Sequence, residues 1–374
     1  MFIPYGHQSI SEEDIEAVVE VLRSDCLTTG PKVEEFERKV ADYVGAKYAV
    51  AVSNGTAALH IACLAAGIGP GDEVITTPIT FAASANCVLY CGGTPIFADI
   101  KADTYNIDPK NIKRKITDRT KAIIAVHFTG QPCELDEIHD IAKEHNLIVI
   151  EDGAQVLSAE YKKQKIGSLS DMTTFSFHPV KPITTGEGGM VTTNDEELYK
   201  KLKLYHTHGI TRDKELLLND DGPWYYEQQA LGYNYRITDI QCALGISQIN
   251  RLDEFAEHRR KLAARYDELL KGVANIIPPY QHPDCLSSYH LYMIQVPAER
   301  RKEIFCKLRE NGIGVNVHYI PVYKLPYYQE HGYNDVCCEN AENFYDRAIT
   351  LPLYADMTVD QVDYIVEKLN EVVN

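Results

Sequence analysis

Tyr48-Ala49-Val50-Ala51-Val52-Ser53-Asn54-Gly55-Thr56-Ala57-Ala58 reads as five apolar residues, a polar turn with one glycine, and the opening of an alanine-rich helix. An apolar run of that length, without alternation, is the mark of a strand buried on both faces. The same unit repeats downstream. Glu73 to Thr77 reads as a strand and Phe81 to Tyr90 as a helix. Pro95 to Ala98 is a third strand and Lys121 to Val126 a fourth. A helix over about Glu134 to His145 leads into a fifth strand, Leu147 to Ile150. Strands that alternate with helices, each apolar on both faces, predict an α/β fold: a mainly parallel central sheet flanked by helices.

Outside this core the pattern changes. Ser11, followed by three acids, caps a helix that runs to about Leu22, and Pro31 opens a second that ends near Gly45. Met172 to Phe177 and Gly189 to Thr193 read as strands with no helix between them, which predicts antiparallel additions to the sheet. Helices are expected over about Asp195 to Tyr205 and, as one long rod, Thr238 to Leu270. The rod leads into a smaller C-terminal α+β part, with strands over Tyr289 to Val296 and Ile313 to His318 and helices from about Glu299 and Val359. The expected division is a large domain over 1–250, including the N-terminal helices, and a small one over 251–374.

Composition narrows the partners. The chain has 374 residues and a formal net charge of −17, which argues against nucleic acid or an anionic membrane as its main partner. The N-terminus carries neither a basic nor an apolar leader segment, so no signal peptide is expected. No apolar run approaches the ~20 residues of a membrane span. The ten cysteines form no C-x-x-C pair, and the expected state is reduced thiols in a cytoplasmic protein. His206-Thr207-His208 has no third ligand in view and is read as structural, so no metal site is expected.

Three places carry chemistry. Ser53 to Ala58 sits where a buried strand feeds a helix, and free N–H groups there, with Gly55 and Thr56, suit one phosphate. Asp152 ends a buried strand, a costly place for an unpaired carboxylate unless a cation faces it. Thr174-Phe175-Ser176-Phe177-His178-Pro179-Val180-Lys181 puts a lysine just past a strand, with Gly186, Gly188 and Gly189 following. A protonated pyridine nitrogen would pair with Asp152, and a desolvated lysine would form a Schiff base.

This ordered set resembles the fold-type I pyridoxal-phosphate enzymes, and more narrowly the DegT/DnrJ/EryC1/StrS family of nucleotide-sugar aminotransferases. The resemblance spans essentially the whole chain. It is carried by Leu27 to Pro31, Ser53 to Leu59, Thr77 to Phe81, Glu151 to Gln155, Phe175 to Gly189, Gly232-Tyr233-Asn234-Tyr235-Arg236 and His318-Tyr319-Ile320-Pro321. It implies pyridoxal 5'-phosphate as cofactor and Lys181 as its anchor and proton carrier. Gly55, Thr56 and Ser176 then hold the phosphate, Phe81 stacks on the ring, Asp152 pairs with the ring nitrogen, and Gln155 contacts the ring hydroxyl. Asn234 reaches the phosphate in the other subunit, which implies a homodimer with shared active sites. Thr29, His178, Arg236, His318 and Tyr319 are the expected substrate contacts. Tyr233 and Tyr235 are read as packing residues.

Lys181-Pro182 and Tyr323, where many members have Lys-Asn and a histidine, resemble the branch of the pseudaminic acid pathway. That resemblance implies transfer of the amino group of L-glutamate to C4 of a UDP-linked 2-acetamido-2,6-dideoxy-4-hexulose. The alternatives are another C4 aminotransferase, of the perosamine or dTDP-amino-sugar type, and a pyridoxal-phosphate-binding regulatory protein.

Overall fold

The computed structural model describes residues 2–373. Helix α1 (Glu12–Leu22) begins with a capping box between Ser11 and Asp14, and α2 (Pro31–Val44) has its proline in the first turn. Then come β1 (Tyr48–Val52), α3 (Gly55–Ala65), β2 (Glu73–Thr76), α4 (Ala83–Tyr90), β3 (Thr94–Phe97), α5 (Pro109–Lys115), β4 (Thr120–Val126), α6 (Leu135–His145) and β5 (Ile148–Asp152). A small hairpin, β6 (Glu160–Tyr161) and β7 (Gln164–Lys165), precedes β8 (Met172–Ser176) and β9 (Gly189–Thr193).

Seven strands form one sheet in the order β1-β9-β8-β5-β4-β2-β3. Pairs β2–β3, β2–β4, β4–β5 and β5–β8 are parallel, while β9 is antiparallel to both β8 and β1. The expected mainly parallel sheet is therefore present. Of the two strands predicted as antiparallel additions, β8 joins in parallel and only β9 is reversed. Helices α3 and α4 cover one face through Ala58, Ile61, Cys87 and Val88, and α6 covers the other through Ile138 and Ile141. The carboxyl ends of β1, β5 and β8 thus share one edge, with the start of β9 between β1 and β8: Gly189 pairs with Val52 on one side and Ser176 on the other.

Helix α7 (Glu196–Tyr205) is followed by a short ribbon, β10 (Ile210–Thr211) and β11 (Glu227–Gln228). The long rod is two helices, α8 (Asp239–Ile249) and α9 (Leu252–Leu270), not one. The chain turns at Asn250 and Arg251, where Gln248 and Arg251 both donate to the buried Asp14 carboxylate of α1. After β12 (Cys285–Leu286), strand β13 (Tyr292–Gln295) and helix α10 (Arg301–Glu310) follow. The expected strand over Ile313 to His318 does not form. A hydrogen bond from Val315 N to Ile313 O bends it, leaving single bridges from Ile313 to Ile3 and from Asn316 to Thr350. A one-turn α11 (Pro326–Tyr328) leads to α12 (Glu339–Arg347), β14 (Ala348–Leu351), which pairs with β13, and α13 (Val359–Val373). These C-terminal elements share a core of their own, built on Leu262, Tyr266, Tyr292, Ile349, Ile365 and Leu369, and Ile3 from the N-terminus packs into it.

Candidate active site

Asn54 caps α3: its Oδ1 accepts from Ala57 N at 2.8 Å, and its carbonyl accepts from Ala58 N. That leaves Gly55 N–H and Thr56 N–H without protein partners among the described residues, aimed from a helix N-terminus into a cavity. The cup is tight. A Cβ on Gly55 would stand 2.9 Å from the Ser176 Cβ, and one on Gly189 would lie 2.4 Å from Asn54 O. Two glycines thus let β8, β9 and the turn close on one another, with the Ser176 hydroxyl beside the free N–H groups.

The cavity, of about 930 Å³, opens where the strand ends converge. Its wall includes Gly55, Thr56, Phe81, Asp152, Gln155, Ser176, His178, Lys181, His318 and Tyr319, ten of the positions expected from sequence. Lys181 Nζ makes no hydrogen bond or ion pair to the described residues. Loss of water draws its ammonium down to about 8, against the pull of Asp152 in the other direction. Asp152 is only 6% exposed. It holds two protein donors, Ser84 Oγ at 2.6 Å on Oδ2 and Ala154 N at 3.1 Å on Oδ1, and no cation in contact among the described residues. Phe81 lies in the turn before α4, not inside the helix, and is 63% exposed, so its ring face is open. Gln155 Oε1 accepts from Thr129 N at 2.7 Å, which fixes the amide and turns its NH₂ into the cavity as a donor.

The C-terminal wall is different in kind. Both nitrogens of His318 are used within the protein, one accepting from Asn316 Nδ2 and the other donating to Thr350 Oγ1. Burial holds its pKa down at about 4, so the ring is neutral and offers the cavity only its face and edge. Tyr319 lies 6.4 Å from the Phe81 ring, centroid to centroid. Tyr323 is buried away from the cavity with its hydroxyl on Glu342, in keeping with its departure from the family histidine.

Three expected residues lie outside the cavity wall of this single chain. Thr29 is exposed with a left-handed φ of 54°. Asn234 is exposed and forms a bridge with Thr207, and Arg236 donates to Thr207 Oγ1 at 3.1 Å. Conversely, several wall residues escaped the sequence reading. Tyr235, taken as packing, both stacks on Tyr233 and lines the cavity, with its hydroxyl 3.0 Å from His60 Nδ1. Tyr5, Ser84 and Asn316 reach it from distant parts of the chain. The Asn54 cap was legible, since asparagine before a helix start is a strong signal. His206 donates Nδ1–H to Lys203 O, and no metal-binding cluster exists among the described residues.

The donors fit one kind of ligand. A helix N-terminus with a hydroxyl takes a phosphate, an uncompensated buried carboxylate takes a ring nitrogen cation, and a fixed amide takes a ring hydroxyl. A desolvated amine stands ready for an aldehyde. Pyridoxal phosphate presents all four groups.

Comparison with known proteins is consistent with this. A sequence model described as the DegT/DnrJ/EryC1/StrS aminotransferase family matches residues 8–370. The chain is 44% identical to the spore coat polysaccharide biosynthesis protein SpsC of Bacillus subtilis, over 100% of this chain and 97% of that protein. It is 40% identical to the UDP-4-amino-4,6-dideoxy-N-acetyl-β-L-altrosamine transaminase of Campylobacter jejuni, over 98% and 96%. The putative sugar aminotransferase Spr1654 of Streptococcus pneumoniae, solved in its pyridoxal-phosphate form, superposes with a TM-score of 0.93 at 34% identity, covering 100% of this chain and 99% of that one. Its pyridoxamine-phosphate form gives 0.94.

Proposed function

Since the chain belongs to the DegT/DnrJ/EryC1/StrS aminotransferase family, and is with it a pyridoxal-phosphate-dependent sugar aminotransferase, we propose that it moves the amino group of L-glutamate to C4 of a UDP-linked 2-acetamido-2,6-dideoxy-4-hexulose, the amination step of the pseudaminic acid pathway. The observation that carries the reading is the pairing of Lys181 and Asp152 across one cavity, a desolvated amine facing a carboxylate that no cation contacts among the described residues. The substrate class rests on the 40% identity to the Campylobacter transaminase and on Lys181-Pro182 and Tyr323.

Each residue then has a task. Lys181 Nζ would hold the cofactor and, when free, would serve as the base and acid that takes a proton from the substrate carbon and returns it one position along. Asp152 keeps a positive charge on the ring nitrogen. Gly55 N–H, Thr56 and Ser176 hold the phosphate, Phe81 covers the ring, and Gln155 donates to the ring hydroxyl. Bound there, pyridoxal phosphate supplies an electron sink and a carrier for the amino group. His178, His318 and Tyr319 face the sugar from the cavity wall; Thr29 and Arg236, outside the wall of their own chain, reach the sugar in a second copy, and Asn234 of each chain completes the phosphate site of that copy. The proposed unit is therefore a homodimer with shared sites, cytoplasmic, each chain dividing into 1–250 and 251–374.

The higher identity to SpsC, a protein of spore coat polysaccharide biosynthesis, supports a pathway other than that of pseudaminic acid, and the second reading is a C4 aminotransferase of the perosamine or dTDP-amino-sugar type. The two are separated by supplying ¹⁵N-glutamate with UDP- and dTDP-linked 4-keto-6-deoxy sugars in separate reactions and following ¹⁵N at C4 by NMR. Label in the UDP-acetamido sugar alone supports the first reading. Label in the dTDP sugar alone replaces it with the second.

A further inference from the structure

The Asp152 carboxylate, buried and facing the site of the ring nitrogen, must be held in place without having its charge cancelled. An arginine or lysine would do the first at the expense of the second, because a cation in contact would compete with the ring nitrogen. The chain uses hydroxyls instead. Ser84 Oγ stands 2.6 Å from Asp152 Oδ2, 2.7 Å from Thr80 Oγ1 and 3.3 Å from Phe81 O. All three of Thr80, Ser84 and Asp152 are buried. A hydroxyl has one proton, and the carboxylate is the strongest and nearest acceptor, so Ser84 donates to Asp152. Thr80 Oγ1 has no other hydrogen-bond partner among the described residues, so its proton goes to Ser84 Oγ. The second hydroxyl polarises the first and strengthens its bond to the carboxylate.

We propose that Ser84, backed by Thr80, is a positioning residue for Asp152: this two-hydroxyl chain aims the carboxylate at the ring nitrogen, so that the proton stays on the ring. The inference rests on the cofactor reading and adds to it residues that act through Asp152. Ser84 also ties two ring contacts together. Its N–H donates to Phe81 O, so the residue that holds Asp152 at one edge of the ring also sets the turn that carries Phe81. The other charged or titratable groups facing Asp152 are Lys181 beyond β8 and Tyr319 from the C-terminal wall. Glu151 is turned to the opposite face of β5, paired with His127.

The test is a pH titration of the visible band of the bound cofactor in wild type, Ser84→Ala, Ser84→Thr and Thr80→Val, with PLP affinity of the apo-protein and steady-state kinetics alongside. In Ser84→Ala the carboxylate is no longer held on the ring nitrogen and the ring loses positive charge. The band's pH midpoint then moves upward, PLP binds more weakly, and kcat falls about tenfold while the KM for the keto-sugar stays within about twofold. Ser84→Thr restores most of each, and Thr80→Val gives a smaller shift of the same sign. A Ser84→Ala protein that titrates and turns over like wild type overturns the proposal, as does a Ser84→Thr protein as impaired as the alanine variant. If Ser84→Ala does not fold, Thr80→Val decides: an unmoved midpoint there overturns it. Failure of the wild type to take up PLP is a separate result that removes the cofactor reading itself.

Discussion

A lysine stripped of water with no acceptor in contact is stored reactivity, and Lys181 is in that state. Its folded value of about 8 lies below the ordinary lysine value of about 10.4. Between the two, the unfolded chain holds the extra proton, so the apo-protein gains stability from this group as pH rises through that window. The same titration governs chemistry, since only the neutral amine attacks an aldehyde. PLP uptake by the apo-protein is expected to accelerate with pH around a midpoint of about 8; stopped-flow absorbance checks this, and a rate flat between about pH 7 and 9 contradicts it. Asp152→Ala should retain PLP poorly and lose kcat by about a hundredfold or more, as measured by cofactor content and steady-state turnover. Lys181 and Asp152 were legible because each stands just past, or at the end of, a short apolar run, a local pattern. Ser84 was not legible: its partner lies 68 positions away, a distance only the fold closes. His318 shows the converse. Its motif pointed to the sugar, while its nitrogens are spent on Asn316 and Thr350.

At the scale of elements, the phosphate cup exists because β9 runs backwards between β1 and β8 and carries a glycine where it meets the turn. Gly189→Ala would put a methyl group into Asn54 O. The expected outcome is destabilisation of about 2 kcal/mol or more in chemical denaturation and a marked loss of PLP affinity, because the α3 N-terminus must shift. Asn54→Ala should cost about 1 kcal/mol through the lost cap. The βα units were legible because each strand is buried on both faces and keeps a continuous apolar run. The reversal of β9 was half legible, from the missing helix before it. The break between α8 and α9 was invisible, since no glycine or proline marks it and its causes are contacts to Asp14 far upstream. The segment 313–318 also differs from its expected strand: its composition is strand-like apart from Gly314, but it is bent by its own backbone.

At the scale of the molecule, three expected site residues, Thr29, Asn234 and Arg236, lie outside the cavity wall of their own chain, two of them exposed. The segment leading to Asn234 exposes Leu218 at 85%, Trp224 at 68% and Leu231 at 76%. With shared sites, a Lys181→Ala chain and an Asn234→Ala chain are each impaired alone. Mixed, unfolded and refolded together, half the dimers pair unlike chains, and each of those has one intact site. Recovery of about a quarter of wild-type activity is expected. No recovery, with mixed dimers verified by native mass spectrometry, would place Asn234 outside any shared site. Among the described residues no helix is long and apolar enough to cross a membrane.

The central claim, that Lys181 holds pyridoxal phosphate in a site built for amino transfer, is tested most directly by the visible absorbance spectrum of the PLP-loaded protein before and after L-glutamate, with Lys181→Ala alongside. The expected result is a visible band in the wild type that disappears on glutamate addition, and no such native band in the variant. A wild type that stays colourless with PLP present, or a Lys181→Ala protein with the same band and the same response, would contradict it.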